Sequence, residues 1–169
     1  LFFKLEKILK MIKLDSPFHF KEEMRLVREV LTSGQLARGV YTQEVESKFA
    51  QKFRAKYAIL VSSATAGLYS VLSSLGLKKG DEVITTPFTF VATINAILLA
   101  GAKPVFVDIN EEDFNIDVGL VEQKISSKTK AILGVDLYGQ PCDYPKLKEL
   151  SLSRRNKIYL IADSAQAIG

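Results

Sequence analysis

Apolar residues recur every three or four positions in the first part of the chain and gather into short runs after it. Between Ser16 and Leu31 a Ser-Pro start is followed by Phe20, Met24, Val27, Val30 and Leu31, which predicts a helix with one apolar face. The stretch SGQLARG interrupts it, and Val45, Phe49 and Phe53, four apart, predict a second helix over 41–53. From Tyr57 onward apolar runs alternate with helical stretches. Tyr57 to Val61 reads as a buried strand, 65–76 as a helix, and Lys79-Gly80-Asp81 as a turn into a strand from Glu82 to Thr86. Residues 90–100 read as a helix closed by Gly101, a residue type expected just past a helix end. Strands then follow at Pro104 to Val107, Lys130 to Val135 and Ile158 to Ala162, with helices over 118–125 and from Pro145 to Arg155 between them. Short apolar strands separated by helices belong in a mostly parallel sheet covered on both faces, so the fold class is α/β.

Two segments modify this plan. LFFKLEKILK sets lysines at 4, 7 and 10 opposite Phe2, Phe3, Leu5, Ile8 and Leu9. An interfacial helix would have that pattern, but Met11 opens a more ordinary start, so residues 1–10 are read as an upstream or cloning remnant and set aside. Residues 11–169 carry no internal repeat, low-complexity tract or long linker, and they are read as one domain or a piece of one.

Composition narrows the function. The net charge of +4 comes from scattered lysines rather than from a basic block with interleaved aromatics, which gives no support to nucleic-acid binding. No apolar run approaches the roughly 20 residues of a membrane span. A single cysteine, Cys142, excludes an internal disulfide, and with one distant histidine, His19, it makes no metal-ligand cluster. A reducing, cytoplasmic setting is expected.

In an open α/β sheet, ligands gather at the carboxyl ends of the strands. Three loops there carry chemistry. Ser62-Ser63-Ala64-Thr65-Ala66-Gly67 brings small residues to a helix start, where free N–H groups and hydroxyls suit a phosphate or, equally, where Ser and Thr simply cap the helix. Neither a G-x-G-x-x-G run nor a P-loop is present, which argues against a dinucleotide or nucleoside triphosphate. Thr86-Pro87-Phe88-Thr89-Phe90 puts aromatics at a strand end; one could stack on a flat ring, although core packing is the expected fate of such a residue taken alone. Asp163-Ser164-Ala165-Gln166 follows an apolar strand, and its carboxylate requires a cationic or hydrogen-bonding partner unless it caps a helix. A phosphate cup, a stacking aromatic and an anion for a ring nitrogen are together the grips that pyridoxal 5′-phosphate (PLP) needs.

The ordered series SGQLARG, VESKFAQKF, SSATAGL, GDEVITTPFTFVATINAI, GAKPVFVDI, FNID, KTKAILGVDLYGQPCD and ADSAQAIG resembles the DegT/DnrJ/StrS sugar aminotransferases from about Met11 to Gly169. The resemblance implies part of an aspartate-aminotransferase-like (fold type I) large domain. It implies that Ala64 and Thr65 hold the PLP phosphate, that Phe90 stacks on the pyridine ring, that Asp163 pairs with the ring nitrogen as the catalytic carboxylate, and that Gln166 bonds the ring hydroxyl. The implied reaction moves an amino group from an amino acid, typically glutamate, to a nucleotide-linked keto-sugar, in a homodimer with sites at the subunit interface. The lysine that would carry the cofactor lies downstream of Asp-x-Ala-Gln in the family, so the resemblance implies a truncated chain without its nucleophile. Three positions depart from the usual pattern: Ala64 stands where glycine is usual, Asp136 where histidine is usual, and Ala162 where an acidic residue is usual. A sugar dehydratase of the same family, with histidine for the lysine, is the competing chemistry. A non-catalytic fragment or degenerate relative that binds a phosphorylated ligand or a partner chain, and a Rossmann-like nucleotide binder, are competing readings of a different class.

Overall fold

The computed structural model describes residues 21–153 and 157–168. The remnant reading of 1–10, the first helix's predicted start at Ser16–Phe20, His19 and the last helix's predicted end at Arg155 lie outside the described residues. The chain falls into two compact units, divided after Leu60. In the first, helix α1 (Lys21–Ser33) buries no residue and is laced along its surface by Arg25, which pairs with Glu22 at 2.7 Å and Glu29 at 2.8 Å. Helix α2 (Val40–Lys52) follows, and its Glu46 accepts a hydrogen bond from the Leu60 amide at 2.9 Å.

The second unit is a four-stranded parallel sheet between helices. Its elements run α3 (Ala64–Ser74), β1 (Glu82–Thr85), α4 (Val91–Leu99), β2 (Lys103–Phe106), α5 (Val118–Lys124), β3 (Thr129–Val135), α6 (Tyr144–Leu152) and β4 (Tyr159–Asp163). The strand order is β2-β1-β3-β4, all neighbours parallel. Alternation along the strands sorts the apolar side chains to two faces. Val83, Ala131, Leu133, Val135 and Ile161 meet Leu68 and Leu72 of α3 and Ala96 and Ile97 of α4. Ile84 and Ile132 meet Val121 of α5 and Leu147 of α6. Leu72, Ile97, Ile132 and Leu147 are fully excluded from water, and each such burial stabilises the unit by about 2 kcal/mol.

The α/β class and its parallel sheet are thus as the sequence pattern predicts, and the boundaries agree closely. Gly101 takes φ of +83° one residue past the Ala100 helix cap, as expected of its residue type. One prediction fails. Tyr57 to Val61 forms no strand, and Tyr57, Ile59, Leu60 and Val61 are exposed. An apolar run supplies side chains for a strand but not the neighbouring backbone that pairs with it, and no described strand pairs with this one.

The topology fixes where a ligand can enter. From β1 the chain crosses to β2 on one side, and from β3 it crosses to β4 on the other, so the loops after β1 and β3 part. Such a switch point opens a crevice at the strands' carboxyl ends.

Candidate active site

A cavity of about 120 Å³, open to solvent, occupies that crevice. Ala64, Thr65, Phe90, Asp163 and Gln166, brought from three separate loops, all line it, together with Thr89, Asp136 and Leu137. At one end stands the start of α3. Ser63 caps this helix by accepting from the Ala66 amide at 3.2 Å, and its carbonyl takes the Gly67 amide at 3.1 Å. Among the described residues no group accepts from the Ala64 and Thr65 amides or bonds the Thr65 hydroxyl, which leaves donors and the positive helix end facing the cavity. Ser63 thus does the capping, and the Ala64 and Thr65 amides are left without an acceptor among the described residues. Ala64 is the first helical residue and has no positive φ, so the alanine at a glycine position brings no backbone strain.

Across the cavity lies Asp163. It is the last residue of β4 rather than the residue after it, and the described residues 164–168 are not helical, so it does not cap a helix there. Strand alternation turns it to the α3–α4 face, where it is 9% exposed. Thr93 Oγ1 donates to its Oδ2 at 2.7 Å, and the Ala165 amide approaches Oδ1 at 3.4 Å. Thr89 Oγ1 lies 2.8 Å from Thr93 Oγ1 and extends the hydroxyl chain to the cavity wall. Among the described residues no lysine or arginine pairs with this carboxylate. A buried carboxylate with hydroxyl and amide donors but no cation is only half compensated, and a cationic ligand would complete it.

The rim and the floor follow from the loops after β1 and β3. Phe90 precedes α4 and is 71% exposed at the cavity's edge, which overturns the expectation that an aromatic at this strand end fills the core. Gln166 accepts at Oε1 from the Tyr138 amide at 2.9 Å, which leaves its Nε2 hydrogens as the donors available to a ligand. Asp136 is buried without a cation but holds several neutral donors: Oδ1 accepts from the Cys142 amide at 3.0 Å and the Tyr144 hydroxyl at 2.8 Å, and Oδ2 from the Ser164 hydroxyl. It ties the loop after β3 to the segment carrying Asp163. Burial, and then the Asp136 charge, push the Cys142 thiol up to about 11. Burial and the bond to Asp136 likewise raise the Tyr144 phenol. Ala162 points to the opposite sheet face and does not line the cavity, so its departure from the family pattern leaves this site untouched.

The sequence reading missed Thr93. Its signal was the four-residue interval from Thr89, which sets both hydroxyls along one side of the helix entry.

Comparison with known proteins identifies the family. The model of the DegT/DnrJ/EryC1/StrS aminotransferase family matches residues 18–169. The chain is 41% identical over 162 residues to the GDP-perosamine synthase of Escherichia coli O157:H7, covering 95% of this chain and 44% of that protein. Among solved structures, Spr1654 from Streptococcus pneumoniae, named as a sugar aminotransferase, superposes in its PMP form with a TM-score of 0.89 at 34% identity, over 94% of this chain and 43% of that one. A GDP-4-keto-6-deoxymannose-3-dehydratase superposes with a TM-score of 0.85 at 30% identity, over 93% of this chain and 42% of that one. The chain therefore spans less than half the length of the relatives it matches.

Proposed function

The chain belongs to the DegT/DnrJ/EryC1/StrS aminotransferase family, and from that premise we propose that the whole protein uses PLP to move an amino group from an amino acid, glutamate being the expected donor, to a nucleotide-linked keto-sugar. The observation that carries this reading is the buried, cation-free Asp163 facing free amides at a helix start across one cavity. A ligand suited to both ends must be anionic at one and cationic at the other, as PLP is when its ring nitrogen holds a proton.

The residues fit that cofactor. Ala64 and Thr65 would hold the phosphate through amides and a hydroxyl, and Phe90, exposed at the rim, would cover a ring face. Gln166 would donate from Nε2 to the ring hydroxyl oxygen, its Oε1 being occupied by Tyr138. Asp163 would hold the ring nitrogen's proton, and Thr93 would orient it. Once bound, PLP supplies an electron-withdrawing ring that stabilises negative charge developing at the amino-bearing carbon. The chain's part is to keep that ring protonated: a carboxylate in a low-dielectric wall favours the cationic nitrogen far more than water does. A cytoplasmic homodimer acting on a soluble nucleotide sugar completes the reading; no helix among the described residues is long and apolar enough to cross a membrane.

The similarity to a dehydratase keeps a second chemistry open, a PLP-dependent sugar dehydration in which histidine stands for the lysine. Amino transfer and dehydration are separated by following glutamate consumption against loss of a sugar hydroxyl. The test of the main reading is PLP titration of the whole protein, followed by visible absorption, and then 2-oxoglutarate release from glutamate in the presence of a keto-sugar nucleotide. Asp163→Asn is expected to cut turnover on the order of 10²-fold or more. Equal turnover in the variant, or no PLP binding by the parent, would sink the proposal.

A further inference from the structure

Asp136 is a second buried carboxylate on the wall of the cofactor cavity, and the proposed chemistry does not use it. It stands one residue past β3, and its amide donates to the Asp163 carbonyl at 3.0 Å, so the pairing of β3 with β4 continues to the ends of both strands. Its two oxygens serve different segments. Oδ1 takes the Cys142 amide at 3.0 Å and the Tyr144 hydroxyl at 2.8 Å at the entry to α6, while Oδ2 takes the Ser164 hydroxyl. Gly134 makes room for the first group, since a Cβ there would meet the Tyr144 hydroxyl at 3.3 Å. A neutral histidine, which the family resemblance leads one to expect at 136, has a single acceptor nitrogen and could not hold all of these donors.

Ser164 lies between Asp163 and Gln166 and opens the turn that carries Gln166, for the Ala167 amide donates to the Ser164 carbonyl at 3.1 Å. The Tyr138 amide, on Gln166 Oε1 at 2.9 Å, ties the same turn to the loop after β3 a second time. Resting on the reading that the cavity takes PLP, we propose that Asp136 is a positioning residue: through Ser164 it holds the turn after β4 so that Asp163 and Gln166 meet the cofactor together. Its oxygens are already occupied by protein donors, so it acts through Ser164 rather than by touching the ligand. A hydrogen bond to a charged acceptor is stronger than one between neutral groups, and that is the use of a buried charge here. The firmness matters because a displacement of about 1 Å in groups that orient a reactant can cost on the order of a hundredfold.

The test compares the two oxygens of the same carboxylate. In the whole protein, Ser164→Ala removes the donor on Oδ2 and Tyr144→Phe one donor on Oδ1. Ser164→Ala should weaken PLP binding about tenfold in an absorption titration, and in protein stripped of PLP it should speed hydrogen exchange over residues 164–168 about tenfold. Tyr144→Phe should lower the melting temperature and leave PLP affinity within about twofold of the parent. Asp136→Ala should show both effects, and Asp136→Asn should recover part of the affinity, because its Nδ2 can donate to the Ser164 oxygen while Oδ1 still accepts. Unchanged PLP affinity or exchange in Ser164→Ala, an equal loss of affinity in Tyr144→Phe, or an asparagine no better than alanine would each overturn the proposal. Should Asp136→Ala fail to fold, the serine and tyrosine variants decide alone. A parent that binds no PLP defeats the cofactor reading itself, whereas a parent that binds it as tightly as Ser164→Ala does defeats only the role given to Asp136.

Discussion

Asp163 is expensive where it stands, and its cost is met by Thr93. Substituting Thr93→Val keeps the shape of the side chain but leaves Oδ2 of a buried carboxylate without its 2.7 Å donor. Destabilisation of about 1–3 kcal/mol is expected in urea titration, with Thr93→Ser restoring most of it. Unchanged stability in the valine variant would show that the hydroxyl is not the carboxylate's main support. Cys142 gives the second residue-scale prediction, through pH. Its thiol holds its proton up to about 11 in the folded chain, against an ordinary 9.0, so the unfolded chain releases the proton first. The stability it contributes is intact below pH 9, shrinks as pH rises towards 11 and is gone above. Tyr144, also raised, adds to the same alkaline loss above its ordinary 10.0. Cys142→Ser should flatten the fall in stability between pH 9 and 11 without abolishing it, and an unaltered slope would contradict the shift. At this scale loop position and family likeness singled out Ala64, Thr65, Phe90, Asp163 and Gln166, which the fold brings to one cavity. The sequence hid what orients them, because a hydroxyl bond across 70 positions, as from Thr93 to Asp163, leaves no local pattern.

Strands and helices were legible wherever both the side-chain pattern and the partner lay within the described residues. β1, β2, β3 and β4 each carry apolar runs and each finds a parallel neighbour. Tyr57 to Val61 carries an equal run and finds none, which is why period and composition alone misled there. Close approach between elements was likewise unreadable. Gly134 of β3 sits under α6, where an added Cβ would meet Cys142 Sγ at 3.1 Å and the Tyr144 hydroxyl at 3.3 Å. Both neighbours are held by bonds around Asp136 and the end of β3 and cannot swing aside freely. Gly134→Ala should therefore destabilise by about 1–3 kcal/mol through overpacking, even though alanine suits a strand better than glycine. A variant as stable as the parent would mean that the Asp136 cluster yields easily.

The two-sided sheet and its switch point determine the location of the cavity, yet the same architecture leaves apolar surface and strand edges uncovered among the described residues. β2 and β4 are the edges of the described sheet, and Ile59, Leu60, Leu98 and Leu99 are exposed. Unpaired backbone at an edge and exposed aliphatic side chains both favour association between copies. The net charge of +4 is too small to prevent it at moderate salt, where repulsion is screened beyond about 8–10 Å. Purified as this chain alone, the protein should sediment as a concentration-dependent mixture of sizes. Ile59→Lys should shift that mixture towards monomer, because it sets a charge within the exposed run while removing no buried contact. A monodisperse monomer in the parent at tens of micromolar, measured by analytical ultracentrifugation, would show that these surfaces are benign, and an unchanged distribution in the variant would move the cause to the sheet edges.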